Sequence, residues 1–197
     1  MADRIAEISR ETKETKIRLA LNLDGTGDYT ISTGVGFFDH MLTHIGRHGL
    51  LDLTVEATGD LEVDAHHVVE DVGIVFGQAL TAAVGDKRGI VRYGTGMAPM
   101  DSSLVMVVLD ISGRPALVWD VDLPIGKVGE FDTELAREFF QAVANSAAIT
   151  VHFHLFSGGN AHHVLESAFK SFGRALDAAT ALDPRIAGQV PSTKGAL

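Results

Sequence analysis

A seventeen-residue segment occurs twice in this chain of 197 residues and limits its fold more than any other feature. Residues 64–80 read DAHHVVEDVGIVFGQAL, and 96 positions later residues 160–176 read NAHHVLESAFKSFGRAL. Nine positions are identical and His-His-x-x-Glu is intact in both copies. Gene duplication is the simplest source, and it predicts two similar halves. Apolar residues follow each motif at helical spacing: Val69, Val72, Phe76, Ala79 and Ala83, then Leu165, Ala168, Phe172, Ala175 and Ala179. Each motif therefore enters an amphipathic helix. Glu70 lies three residues from His67 and four from His66, within reach of either imidazole. Adjacent histidines point about 100° apart around a helix, which suits serving two centres better than chelating one.

One such motif reads equally well as a solvated or capping helix start. Two copies shift the balance, because His, His and Glu persist in register while Asp71/Ser167 and Gly73/Phe169 differ. A metal site is the favoured reading, with His66, His67, Glu70, His162, His163 and Glu166 as donors. The chain has no cysteine, which excludes disulfides, thiolate zinc sites and cysteine nucleophiles. Imidazole and carboxylate suit Mn, Fe, Zn, Ni or Co. A net charge of −10 argues against general nucleic-acid binding, yet allows a small anion held by local Arg and Lys. The longest apolar run, Leu104 to Leu109, is too short to span a membrane. The charged opening MADRIAEISRETKETK lacks a signal-peptide core, so a cytoplasmic protein is expected.

In order along the chain, residues 6–23 read as a strand, with Ile17, Leu19, Leu21 and Leu23 alternating and Glu14 just before them. A short strand surrounds Tyr29 and Ile31, and a helix then sets His40, His44 and His48 on one face. Residues 51–58 read as a strand leading to the first motif. KRGIVRYGTGMAPMD reads as a Gly-rich connection without a phosphate-loop signature. The second half offers a strand over 102–112, a turn at Ser112-Gly113 before Arg114, and a strand around Leu117 to Leu123. A helix over 132–145 with Glu138 and a strand over 148–155 follow. Leu53-Thr54-Val55 matches Ile149-Thr150-Val151 at the offset of 96, and a two-residue slip sets His40 opposite Glu138. The tail after Asp183-Pro184 reads as frayed. Even so, Ser192, Thr193 and Lys194 have a composition suited to phosphate oxygens.

FFDHML, DAHHVVED, GGNAHHVLES and PSTKG, in this order and spacing, resemble the imidazoleglycerol-phosphate dehydratase family, hydro-lyases of histidine biosynthesis. The resemblance covers essentially the whole chain and is to the monofunctional form, since no phosphatase domain precedes it. It implies an α/β fold of the α+β type, ribosomal-protein-S5-domain-2-like, with two four-stranded sheets each backed by helices. One domain would span 1–197, with repeats over roughly 1–90 and 91–183 and a tail over 184–197. It further implies two Mn2+ per active site, other divalent metals remaining open. One ion would take His40, His67, His162 and Glu166, and the other His66, Glu70, Glu138 and His163. Glu14 falls on the acid/base position. Glu14, His48, Arg92, Arg114, Lys170, Ser192 and Lys194 fall on positions that hold the substrate, a phosphorylated imidazole.

A homo-oligomer of some two dozen subunits, with sites at subunit interfaces, completes what the resemblance implies. His44 departs from the Gln expected there, and Glu138 stands where plant members have His. The implied reaction is metal-dependent dehydration of imidazoleglycerol phosphate to imidazole-acetol phosphate. Two other classes remain open on the residues alone: a binuclear metallohydrolase of a phosphorylated small molecule, and a non-enzymatic metal-binding assembly protein. A di-iron carboxylate bundle is disfavoured, because strands and Gly-rich turns separate the motifs.

Overall fold

The computed structural model describes residues 4–186 and 188–196. The first half holds β1 (Ile5–Glu11), β2 (Thr15–Asn22), β3 (Tyr29–Ser32), α1 (Gly36–Gly49), β4 (Asp52–Gly59) and α2 (His66–Val84). The second holds β5 (Tyr93–Met100), β6 (Ser103–Asp110), β7 (Ala116–Asp120), the small hairpin β8 (Lys127–Val128) and β9 (Phe131–Asp132), α3 (Leu135–Ala147), β10 (Thr150–Ser157) and α4 (Ala161–Thr180). The sheets run β1-β2-β4-β3 and β5-β6-β10-β7. Only β3 with β4 and β7 with β10 pair in parallel within them. This is the expected α/β architecture of two four-stranded sheets backed by helices.

Alternation explains which face each sheet buries. In β2, Ile17, Leu19 and Leu21 are buried while Lys16 and Arg18 are exposed; Val105, Val107 and Leu109 repeat the pattern in β6. The buried faces meet the helices, and the helices of one half pack on those of the other, α1 on α4 and α2 on α3. The result is a sheet–helix–helix–sheet stack with one continuous core. Enclosure between β2 and α3 also accounts for the composition of α2. That helix is long and apolar enough to cross a membrane, but most of it is buried within the protein.

Both halves use the same strand register. Ile5 faces Asn22 and Tyr93 faces Asp110, an offset of 88 residues; Asp52 pairs with Asn22 and Thr150 with Asp110, an offset of 98 between β4 and β10. The match of Leu53-Thr54-Val55 with Ile149-Thr150-Val151 is therefore out by two residues, and Leu53 corresponds to Val151. The offset of 98 also relates the left-handed C-caps Leu50 and Ala148, and with them His40 and Glu138. The two-residue slip thus belongs to α1 and β4 as a unit, and it is removed in the connection before the motif helix.

Three other expectations are corrected. The single strand over 6–23 is a hairpin, because the Thr12 hydroxyl accepts from the Glu14 and Thr15 backbone N–H groups at 3.1 and 3.0 Å and turns the chain. The Gly-rich connection contains β5. Its Gly94 and Gly96 lie directly under the α4 carbonyls of Ala175 and Ser171, where a Cβ would overlap the oxygen. The tail does not fray throughout: the Gln189 carbonyl accepts from Gly89 N at 2.8 Å, and those of Gly188 and Pro191 accept from Arg88 and Arg92, each at 2.8 Å.

Gly77 and Gly173, 96 residues apart in the two motifs, mark the interhelix contacts. A Cβ on Gly173 would meet the Ile45 carbonyl oxygen at 2.8 Å, and one on Gly77 the Val143 carbonyl oxygen at 2.9 Å. Overpacking of this kind costs about 1–3 kcal/mol. Gly173→Ala should lower stability by that amount in urea unfolding, with Gly77→Ala behaving alike; wild-type midpoints would mean the helices separate freely.

Candidate metal and substrate site

Equivalent side chains precede the two motif helices and bond their first turns. Asp64 Oδ1 accepts from His66 N at 2.8 Å, and Asn160 Oδ1 accepts from His162 N at 2.9 Å. These bonds fix where the paired histidines leave the helix. Their rings stand nearly perpendicular, at 84° for His66 and His67 and 83° for His162 and His163. Neighbouring imidazoles thus address different directions.

One donor group converges between the halves. Glu166 Oε1 lies 2.8 Å from His40 Nε2 and 3.0 Å from His162 Nε2, so α1 and α4 both supply it. These three residues are the only group of three or more potential metal ligands among the described residues. His44 Nε2 stands 3.5 Å from the same oxygen, is buried, and has no hydrogen-bond partner among the described residues. Lys170 Nζ donates to Glu166 Oε2 at 2.6 Å. Burial alone would raise the Glu166 carboxyl, but hydrogen bonds from Lys170, His40 and His162 outweigh it and hold the group well below the usual carboxylate range. An ionised oxygen ringed by imidazole nitrogens, without sulfur, fits a divalent cation of the Mn, Fe or Zn type.

The other nominated donors lie apart from this group. His66 Nε2 is 3.9 Å from Glu70 Oε2, and Glu138 pairs with Arg137 at 3.1 Å. His67 Nδ1 pairs with Asp60 at 3.0 Å; that hydrogen bond raises its pKa against a smaller opposing effect of burial. His163 Nδ1 is 3.6 Å from Asp101. Asp60 was not singled out by sequence reasoning, and its Asp-after-Gly turn position is the one signal it carries. Its backbone N–H donates to the Glu14 carbonyl at 3.2 Å, which sets the Glu14 turn beside His67.

The nominated substrate residues form two neighbourhoods. Arg92 is bidentate on Asp110 at 2.7 and 3.2 Å and donates to the Pro191 carbonyl, which brings it to the segment carrying Ser192 and Lys194. Arg114 is exposed beside Ser112. Lys170 and His48 lie on the second neighbourhood, along α1 and α4. There a cavity of about 410 Å³ is lined by Arg47, His48, Thr95, Arg174 and Asp177. Burial, then Lys170, Arg174 and Arg47, push the His48 imidazole down.

Comparison with known proteins gives the family. The family model for imidazoleglycerol-phosphate dehydratase matches residues 33–176. The chain belongs to the imidazoleglycerol-phosphate dehydratase family. The dehydratase of Azorhizobium caulinodans is 62% identical, over 98% of each chain, and that of Dinoroseobacter shibae is 60% identical, over 98% of this chain and all of that one. The crystal structure of the Staphylococcus aureus dehydratase superposes with a TM-score of 0.82 at 46% identity, covering 91% of this chain and 99% of that one. The Pyrococcus furiosus structure gives 0.84 at 37% identity, over 96% and 100%. The stretch matched by the dehydratase family model contains all eight nominated metal donors, whereas Glu14, Ser192 and Lys194 lie outside it.

His44 supplies a pH dependence. Burial pushes its imidazole down from 6.5 to about 4, with Glu166 opposing in part. The unfolded chain takes up this proton near pH 6.5 and the folded chain only near 4, so the stability His44 contributes is complete above that window and lost on acidification through it. The thermal midpoint of metal-free protein should fall between these pH values, and His44→Gln should flatten the fall. An unaltered acid limb in that variant would assign the loss to other groups.

Proposed function

We propose that this chain dehydrates imidazoleglycerol phosphate to imidazole-acetol phosphate in histidine biosynthesis, as a cytoplasmic hydro-lyase that uses two Mn2+ per active site. Family membership supports the reaction, and the convergence of His40, His162 and Glu166 from both halves supports the metal requirement most directly. In this reading one ion is held by that trio with His67. The other is held by the equivalent set, His66, Glu70 and Glu138, with His163.

His67 and His163 are partly exposed, at 35% and 29%, and stand outside the trio of their own chain. Donors in that position can complete a site on a neighbouring copy, which supports active sites at subunit interfaces; the size of some two dozen subunits is what the family resemblance implies. Arg92, Arg114, Lys170, His48, Ser192 and Lys194 would hold the phosphate and glycerol chain and contribute remote binding energy.

The metals would supply Lewis-acid polarisation of the two imidazole nitrogens when bound. The residues of the chain account for the rest. The Glu14 carboxylate takes the carbon-bound proton, the hydroxyl on the adjacent carbon leaves as water after gaining a proton from an ordered water, Glu14 returns its proton to solvent, and the resulting enol ketonises. Phosphate contacts keep the reacting carbons against Glu14 during these transfers.

The deciding experiment is turnover of imidazoleglycerol phosphate by metal-stripped protein with and without Mn2+, following imidazole-acetol phosphate. Product only with Mn2+ is expected; metal-loaded protein that forms none, or releases inorganic phosphate instead, refutes the reading. Glu14→Gln should keep metal and substrate binding while losing turnover by two or more orders of magnitude, roughly the share of a general base. Near-normal turnover would remove Glu14 from the chemistry.

A further inference from the structure

Asp71 follows Glu70 in the first motif, yet its carboxylate points to a different task. It is 8% exposed. Oδ1 accepts from Arg10 Nε at 3.0 Å and Oδ2 accepts from the Thr15 hydroxyl at 2.5 Å. Arg10 stands near the end of β1 and Thr15 begins β2, so one carboxylate of α2 grips both legs of the turn that carries Glu14. The turn is closed by Thr12 at 3.0–3.1 Å and tethered by the Glu14 carbonyl to Asp60.

The second half shows that the fold does not need this carboxylate. Ser167 replaces Asp71, and its hydroxyl donates to the Ala98 carbonyl at 2.6 Å and accepts from Val105 N at 2.8 Å. Those two residues sit at the positions of Arg10 and Ile17 in the shared hairpin register. Ser103 replaces Thr15, and its buried hydroxyl has no partner among the described residues. The second hairpin tip has Ser102 where the first has Glu14. A neutral serine therefore suffices to seat such a hairpin on its helix. Burying a carboxylate instead is costly unless it is paired and hydrogen-bonded. The charged grip occurs in the half whose turn carries the acid/base candidate.

We propose that Asp71 is a positioning residue, which acts through Thr15 and Arg10 to hold the Glu14 turn in fixed relation to the α2 donors His66, His67 and Glu70. This rests on the assignment of Glu14 made above. Misplacing a reacting group by about 1 Å can cost on the order of 100-fold in rate. Loss of the grip should therefore appear in kcat, with metal uptake and substrate binding retained.

The test compares Asp71→Ser, the residue the second half already uses, with Thr15→Val and Thr15→Ser in full-length, Mn2+-loaded protein. Asp71→Ser and Thr15→Val should each lower kcat about 10- to 100-fold with KM within about twofold and Mn2+ stoichiometry unchanged; Thr15→Ser, which keeps the hydroxyl, should retain wild-type kcat. Added to Glu14→Gln, Asp71→Ser should remove no further turnover. Wild-type kcat in Asp71→Ser, equal losses in Thr15→Ser and Thr15→Val, or an undiminished effect in the Glu14→Gln background overturns the inference. If Asp71→Ser does not fold, the threonine pair decides. Glu14→Gln with normal turnover defeats the Glu14 assignment and this inference together, whereas an inactive Glu14→Gln beside a fully active Asp71→Ser defeats this inference alone.

Discussion

The close contact of helix backbones across the two halves governs the rest of the structure. Gly173 lets α4 lie against the Ile45–Gly49 turn of α1, and Gly77 does the same for α2 against Val143–Ala147 of α3. Interiors are close-packed and yield little, so the missing Cβ atoms of Gly173 and Gly77, with those of Gly49 and Gly73 beside them, set the spacing of the middle layer. His40 reaches Glu166 at 2.8 Å across 126 positions of sequence because these backbones touch. The sheets outside the helices hold this arrangement through alternating apolar strands, and the core runs unbroken from one sheet to the other.

Much of this was legible from residues. The repeated His-His-x-x-Glu, with Asp64 or Asn160 two residues before the first His, marks helix starts by local chemistry that needs no tertiary context. Period-two runs such as Ile17-Leu19-Leu21 announce strands in the same way. β5 was hidden because glycine is ordinarily punctuation, whereas Gly94 and Gly96 are there to admit the α4 backbone, which only the packed structure reveals. The turn at Thr12 was missed because its hydroxyl, not a Gly or Pro, bends the chain. The trio at Glu166 could be named from family resemblance, but the crowding of His44 and Lys170 around the same carboxylate has no local periodicity to betray it. The spatial separation of His67 and His163 from that trio was likewise beyond the reach of spacing arguments.

The two halves share a scaffold while their polar residues have separated. Equivalent positions hold His40 and Glu138, Glu14 and Ser102, Asp71 and Ser167. Strand register and helix contacts tolerate these exchanges because His40/Glu138 and Glu14/Ser102 are not buried, and because buried Asp71 and Ser167 each find hydrogen-bond partners on the hairpin. The halves are thus paired frames that differ in the polar residues they carry.

The ion pair of Lys170 with Glu166 bears on how the buried carboxylate is tolerated. A buried carboxylate facing three imidazoles would ordinarily demand a cation before the surrounding helices could close. The ammonium on the next turn of α4 balances it at 2.6 Å, so the closed core holds a paired carboxylate without a metal ion. In the proposed reading, a metal ion entering there would meet a carboxylate already charge-balanced, and would have to compete with Lys170 for it.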